Sequence, residues 1–118
     1  MYGPCPPGHW TARLKPINFG PLKVGIRYRV VRPFADYDKV EHPVGEAWTF
    51  LGQNFLPHDS GLSLFVSLDG EQEWHIRMQW TGEEQGDVIR RLSRYVRAES
   101  GQVGRRLWSS LRYIDTGL

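Results

Sequence analysis

The residue types best suited to chemistry lie in one charged loop in the first half of the chain. Asp36 and Asp38 stand two positions apart, Glu41 and His42 follow, and Glu46 closes the loop. Carboxylate oxygens and an imidazole could together hold a divalent cation. The loop lacks the further oxygen ligands and the glycine of a calcium loop, and no second histidine is spaced for zinc. We therefore predict no bound metal, and metal-dependent activity at positions 36–46 stays the second alternative.

A nucleophile for covalent catalysis is missing from the sequence pattern. His75 stands between Glu73 and Arg77 on a polar strand face, but no local motif places a Ser, Cys or Lys nucleophile beside it. Cys5 lies in a proline-rich stretch that cannot preorganise a thiol. The sequence predicts no catalytic residues, no cofactor and no enzymatic activity.

The charged loop and the strand before it form the predicted interaction surface. Arginine on that strand can balance the loop carboxylates, and such a loop suits contact with another protein. The predicted surface comprises Arg27, Arg29, Asp36, Tyr37, Asp38, Glu41, His42 and Glu46. The leading prediction is therefore a non-enzymatic protein–protein interaction module of the adaptor or immunity type.

A run of arginines offers the first alternative, nucleic-acid binding. Arg90, Arg91, Arg94 and Arg97 fall within one predicted helix, and small β-barrels can bind nucleic acid. The formal net charge is only +2, and acidic residues interleave with these arginines. Nucleic acid is therefore ranked below protein as the partner.

Alternating apolar and polar residues predict the strands that position these groups. A period of two places one strand face in the core and the other in water. The predicted strands are 25–32, 46–56, 61–68 and 71–80. Gly52 interrupts an apolar run and predicts a bulge or bend.

The third and fourth strands are predicted to form a hairpin. A two-residue Asp69-Gly70 turn would pair apolar with polar positions, whereas a three-residue turn at 68–70 pairs Leu64 with Trp74. We predict the three-residue turn.

Helical periodicity follows the hairpin. Thr81 and Glu84 have the spacing of a capping box, and Val88, Leu92 and Val96 continue an apolar stripe. A helix over 82–99 and a second, weaker helix over 102–114 are predicted.

These elements predict an α+β, mainly β fold. Four to five antiparallel strands would form an SH3-like, partly open barrel or a meander, followed by one or two C-terminal helices. Residues 1–22, dense in proline and glycine, are predicted to be an irregular arm, and 23–118 a single domain.

Composition agrees with one small globular domain. The chain has 118 residues, 40% of them hydrophobic, and a single cysteine. A lone cysteine points to a reducing compartment, and no apolar run reaches the length of a membrane span. The predicted location is the cytoplasm, with no membrane partner.

Several short motifs resemble a family of small bacterial domains of unknown function. They are Asp36-Tyr-Asp38, His42, Gly45-Glu46-x-Trp48-x-Phe50-Leu51-Gly52, Gly61-Leu-x-Leu-Phe65, Ile76-Arg77-x-Gln79-Trp80 and Glu84-Gln85. The resemblance covers about residues 23–97. It implies a bacterial cytosolic protein and brings no catalytic residues to carry over.

Overall fold

The structure, a computed structural model, describes residues 1–99. Its strands are β1 (Tyr2–Cys5), β2 (Arg27–Val30), β3 (Phe34–Ala35), β4 (Glu41–His42), β5 (Ala47–Leu56), β6 (Gly61–Ser67), β7 (Glu73–Gln79) and β8 (Val96–Ala98). Helix α1 (Glu83–Arg90) and a 3₁₀ turn (Leu92–Arg94) lie between β7 and β8. Six strands form one antiparallel sheet in the order β1-β7-β6-β5-β2-β8, and β3 pairs with β4.

The mainly β, antiparallel prediction is confirmed, but the strand count differs. The main sheet has six strands where four to five were predicted, and it is not closed, which is compatible with either of the two predicted arrangements, a partly open barrel or a meander. No helix in residues 1–99 combines the length and apolar character needed to cross a bilayer.

The core lies on the sheet face that alternation predicts. Trp48 and Phe50 on β5, Leu64 on β6 and Ile76 on β7 are each at most 2% exposed. Val88 of α1 packs into the same cluster, so the helix covers this face. Burying each large side chain contributes about 1.5–3 kcal/mol, which fixes the register of β5, β6 and β7.

The predicted bulge is present where β5 meets β6. Phe50 pairs with Val66, but Gly52 pairs with Phe65, so Leu51 is an extra residue. A bulge of this kind bends the strand locally and increases its twist.

The predicted three-residue turn between β6 and β7 is wrong, although the parity behind it holds. Leu64 pairs with Ile76, not with Trp74, so residues 68–72 make a longer loop. The Asp69 carboxylate accepts hydrogen bonds from the amides of Glu71 and Gln72, each at 2.8 Å. Hydrogen bonds to the Asp69 side chain therefore fix the loop conformation, where a tight hairpin would use backbone hydrogen bonds.

The predicted helix over 82–99 is too long. It ends at Arg90, and Val96–Ala98 instead form β8, where Val96 pairs with Val30 of β2. Gly82, without a side-chain cap, takes the N-cap position, so the capping box is also wrong. The predicted helix over 102–114 lies outside the described residues.

The predicted irregular arm contains a strand. Tyr2 pairs with His75 and Cys5 with Glu73, so β1 extends the sheet beyond β7. The Glu73 carboxylate, expected in water, is 3% exposed. It accepts hydrogen bonds from the amides of Gly8, Trp10 and Thr11 and from the Thr11 hydroxyl. A buried acceptor therefore orders a stretch whose composition suggests no structure.

Candidate functional site

Residues 34–46, here named the strap, carry most of the predicted site. Strands β3 and β4 pair Phe34 with His42, and a tight turn joins them. Asp36 Oδ1 accepts hydrogen bonds from the amides of Asp38, at 2.9 Å, and Val40, at 3.0 Å. Lys39 adopts the left-handed backbone conformation that closes this turn, with φ of 63°. Local hydrogen bonds from one aspartate thus shape the strap.

A histidine between two carboxylates fills the inside of the strap. His42 Nε2 lies 2.8 Å from Asp36 Oδ2, and His42 Nδ1 lies 2.6 Å from Glu46 Oε2. The Asp36 and His42 side chains are 0% exposed. Phe34 stacks on the imidazole with ring centroids 4.9 Å apart, and Trp48 Nε1 donates to Glu46 Oε2 at 3.2 Å. We name Asp36, His42 and Glu46 the strap triad.

The triad favours the charged form of its histidine. Burial alone would lower the pKa of His42, but the hydrogen bonds with Glu46 and Asp36 outweigh burial and raise it. Burial alone would raise the pKa of Asp36, but hydrogen bonds from His42 and the Val40 amide lower it. An imidazolium can donate from both ring nitrogens, which matches an acceptor on each side.

The triad predicts a stability that falls at alkaline pH. A raised folded pKa for His42 means that its contribution is complete below the ordinary histidine pKa, about 6.5. That contribution is lost as the pH rises through the folded value. The lowered pKa of Asp36 gives the opposite sign, so its contribution is lost only as the pH falls through that value. Urea unfolding between pH 5 and 9 measures this dependence.

A His42→Gln variant is the control for that measurement, because it removes one titration and keeps the others. His75 matters here, since burial and Arg77 lower its pKa and its contribution has the opposite sign. The wild-type minus variant difference cancels His75 and should fall above neutral pH. A difference that stays flat or rises would contradict an imidazolium in the triad.

The outside of the strap carries three exposed apolar side chains. Tyr37, Val40 and Val44 are 50%, 38% and 61% exposed, while the charged triad points inward. This pattern is the reverse of an ordinary solvated loop, in which apolar side chains turn inward. The strap therefore presents hydrophobic side chains to solvent on a base of buried charges.

A second feature joins the strap to β7. Asp38 accepts from Arg77 Nε at 3.1 Å and from an Arg77 terminal nitrogen at 2.5 Å. The Arg77 guanidinium lies 5.3 Å from the Tyr2 ring centroid and 5.1 Å from that of Tyr37. The hydrogen bond from Arg77 lowers the pKa of Asp38. His75, beside Arg77, is half-buried and bonds to Ser63 at 2.8 Å.

The structure divides the predicted interaction surface. Tyr37, Asp38 and Glu41 face outward or lie partly exposed, but Asp36 and His42 are buried and so cannot touch a partner. Glu46 belongs to the triad, with 15% of its side chain exposed.

The two arginines of the predicted surface lie apart from the acidic turn. Arg27 and Arg29 pair with Glu99 at 3.5 Å and 2.9 Å. Arg29 also donates to the Gly45 carbonyl at 3.3 Å, so it borders the end of the strap. Arg77, and not this pair, balances a carboxylate of the acidic turn by pairing with Asp38. The sequence prediction left Arg77 out of the interaction surface, although it lies on the same strand face as His75.

The metal alternative loses its ligand set. His42 has both nitrogens engaged, Asp38 is paired with Arg77, and Glu41 is exposed on the opposite strand face from His42. Within residues 1–99, no group of three or more His, Cys, Asp or Glu has the spacing to hold a metal ion.

The arginines of the nucleic-acid alternative do not share a helix. Arg90 ends α1, Arg94 lies in the 3₁₀ turn and Arg97 lies on β8. All are exposed, but Arg91 pairs with Asp87 at 3.0 Å. The single basic helix face that this alternative requires is therefore not formed.

Comparison with known proteins gives a family. Residues 14–98 match the sequence model of a domain of unknown function, DUF3601. The chain belongs to this family. An integron cassette protein from the mobile metagenome of Vibrio cholerae has a similar structure, with 36% identity and a TM-score of 0.68, covering 75% of this chain and 96% of that chain. No curated protein matches.

The DUF3601 match includes the strap triad but not the N-terminal residues that bind Glu73. It includes the strap, β5 to β7, α1 and β8, so the triad belongs to the family domain. It leaves out residues 1–13, which contain β1 and the donors to Glu73.

Proposed function

We propose that this DUF3601 protein is a non-enzymatic interaction module, of adaptor or immunity type, that binds another protein through the outer surface of the strap. The observation that carries the proposal is the inverted burial of the strap. Exposed apolar side chains that are grouped together mark interaction surfaces more often than isolated ones do. Tyr37, Val40 and Val44 are such a group within eight positions of the chain.

The strap triad supports the proposal because it makes the surface rigid. Loops lose conformational entropy on binding, and a preorganised loop loses less. His42 links Asp36 on one limb of the strap to Glu46 on the other. The backbone that carries the apolar side chains is therefore preorganised before a partner arrives.

The chemistry around the strap describes the partner surface. Tyr37 packs on the Arg77 guanidinium, and tyrosine and arginine concentrate binding energy at interfaces. Lys39 and Glu41, both exposed, give the apolar group a polar rim of mixed sign. A partner that fits would offer an apolar patch with charges of both signs at its edge.

Chemical cross-linking in the source bacterium, followed by mass spectrometry, would identify the partner, and titration with the purified partner would then test the strap. Val44→Asp should weaken binding at least about tenfold, because it places a charge in the apolar contact. Leu56→Asp is the matched control, since Leu56 is 49% exposed. Leu56 lies nine residues beyond Ala47 on β5, which is about 30 Å along the strand from the end of the strap. Equal affinity for both variants would reject the strap as the binding surface.

A further inference from the structure

The N-terminal segment occupies a ready-made site on the outer edge of β7. Residues 2–11, here named the docking segment, contact that edge at three places. Tyr2 pairs with His75 in the β-ladder, and the ring centroids of Trp10 and His75 lie 5.4 Å apart. The Gly8 amide is the first of three backbone amides that donate to Glu73. A strand added to a sheet edge, with side-chain pockets beside it, is a common way for proteins to bind peptides.

Glu73 gives the site its specificity for a peptide backbone. The carboxylate accepts from the amides of Gly8 at 2.7 Å, Trp10 at 3.0 Å and Thr11 at 3.2 Å. Burial alone would raise the pKa of Glu73, but these hydrogen bonds and that of the Thr11 hydroxyl lower it. The site is thus a buried anion surrounded by backbone donors from the docking segment.

Gly3 shows how closely the segment approaches β7. A Cβ atom at this position would lie 2.6 Å from the Glu73 carbonyl oxygen and 2.9 Å from Trp74 Cδ1, and φ is +122°. Only glycine fits this approach without displacing the backbone. Tyr2, one residue earlier, donates to Asp38 at 3.0 Å. A ligand of the site therefore has an aromatic hydroxyl, then glycine, then a turn with three free amides.

The docking segment is separate from the core of the domain. The buried hydrophobic cluster takes its first member at Leu22, and only Met1 among residues 1–13 packs against it. Residues 1–13 also lie outside the DUF3601 match. Arg13 and the positions 15–18 that follow are exposed, so an accessible linker joins the segment to β2.

From these observations we propose that the edge of β7 is a peptide-binding site, which the chain fills with its own residues 2–11 and which binds a separate peptide of the same sequence. Proline at position 4 lacks an amide donor, so β1 also closes the sheet against further strands. The site takes one contact from the strap, the hydrogen bond of the Tyr2 hydroxyl to Asp38, but it does not use Val40 or Val44, so the apolar strap surface can fail as an interface while the β7 edge still binds.

A full-length Gly3→Ala chain tests the proposal, since it weakens the internal segment and leaves Glu73 and His75 unchanged. A synthetic peptide of residues 1–13 should bind this variant, and the same peptide with Gly3→Ala should bind at least about tenfold more weakly. The wild-type chain should bind the peptide far less, because its own segment has an effective concentration in the millimolar range. Absence of peptide binding to the variant, or loss of its fold, would overturn the proposal.

Hydrogen exchange on the wild-type chain gives a second, independent readout. If the segment undocks locally, the amides of Gly8, Trp10 and Thr11 should exchange at least about a hundredfold faster than those of Val66 and Ile76 in the core strands. Equal protection of both sets would mean that the segment leaves only on global unfolding, and would overturn the proposal. Neither readout depends on Val44.

Discussion

Replacing His42 with alanine should lower the free energy of unfolding by about 3–5 kcal/mol. The substitution removes the imidazole that lies between two carboxylates, and the fully buried Asp36 keeps only the Met1 ammonium, at 3.2 Å, and two backbone amides as partners in the described part of the chain. His42 makes two hydrogen bonds to carboxylates, and hydrogen bonds to charged groups contribute about 1.5–3 kcal/mol each. Small domains have about 5–15 kcal/mol of total stability, so the variant would lose a large share of it.

Urea unfolding at pH 6 measures this loss, with Glu41→Ala as the matched control. Glu41 neighbours His42 on the same short strand but is exposed, so its removal should change stability by no more than about 0.5 kcal/mol. Asp36→Asn separates the two roles of Asp36, as acceptor for backbone amides and as the negative charge beside His42. The asparagine oxygen can still accept from the amides of Asp38 and Val40, while the charge is gone. A loss below about 1 kcal/mol for His42→Ala would show that the triad does not hold the strap.

Alternation identified the core strands because burial is the strongest constraint on them. Trp48, Phe50, Ile76 and Met78 are buried as predicted, since a sheet with one dry face leaves little choice of side. The bulge near Gly52 was predicted from a different signal, a glycine inside a continuing apolar run. The face of each strand could therefore be read from sequence.

Register and the ends of elements could not be predicted in the same way. The β6–β7 loop depends on the Asp69 side chain acting as an acceptor for two amides, which parity does not report. Val96 fits the apolar stripe of a helix, but pairing with Val30 across more than sixty positions outweighs that local preference. Long-range partners decide such cases.

Burial of charge was the largest gap between sequence and structure. Asp36, His42 and Glu73 were expected in water because charged residues usually are, yet each is buried with hydrogen-bond partners. Apart from the Met1 ammonium, which lies 3.2 Å from Asp36, the hydrogen-bond partners of Asp36 and His42 described above lie within the strap, at spacings of two to six residues. The spacing of carboxylates and histidine in the sequence therefore indicated the right residues. The prediction assigned them to a surface because spacing alone does not show which way a strap faces.

Replacing Glu73 with glutamine should release the N-terminal segment while the core sheet remains folded. The carboxylate accepts from three backbone amides and one hydroxyl, whereas a glutamine amide would point a donor at some of these donors. Hydrogen bonds to charged groups contribute about 1.5–3 kcal/mol each. Losing one of them should speed tryptic cleavage of the Arg13–Leu14 bond by about 10–100-fold, at roughly tenfold for each 1.4 kcal/mol.

Glu71→Gln is the control for this experiment, because it makes the same change of charge two residues earlier at an exposed position. Local release and global unfolding can be distinguished by two measurements. If only the segment is released, the cleavage rate should rise while the urea midpoint of the remaining sheet changes little, because the cleavage rate then follows the population of the open segment. If Glu73→Gln cleaved no faster than Glu71→Gln, the ladder between β1 and β7 would hold the segment without the carboxylate. Because Cys5 pairs directly with Glu73, the substitution should detach β1 from β7 before it affects other strands. Exposure of the Cys5 thiol to a labelling reagent should therefore rise in parallel with cleavage at Arg13.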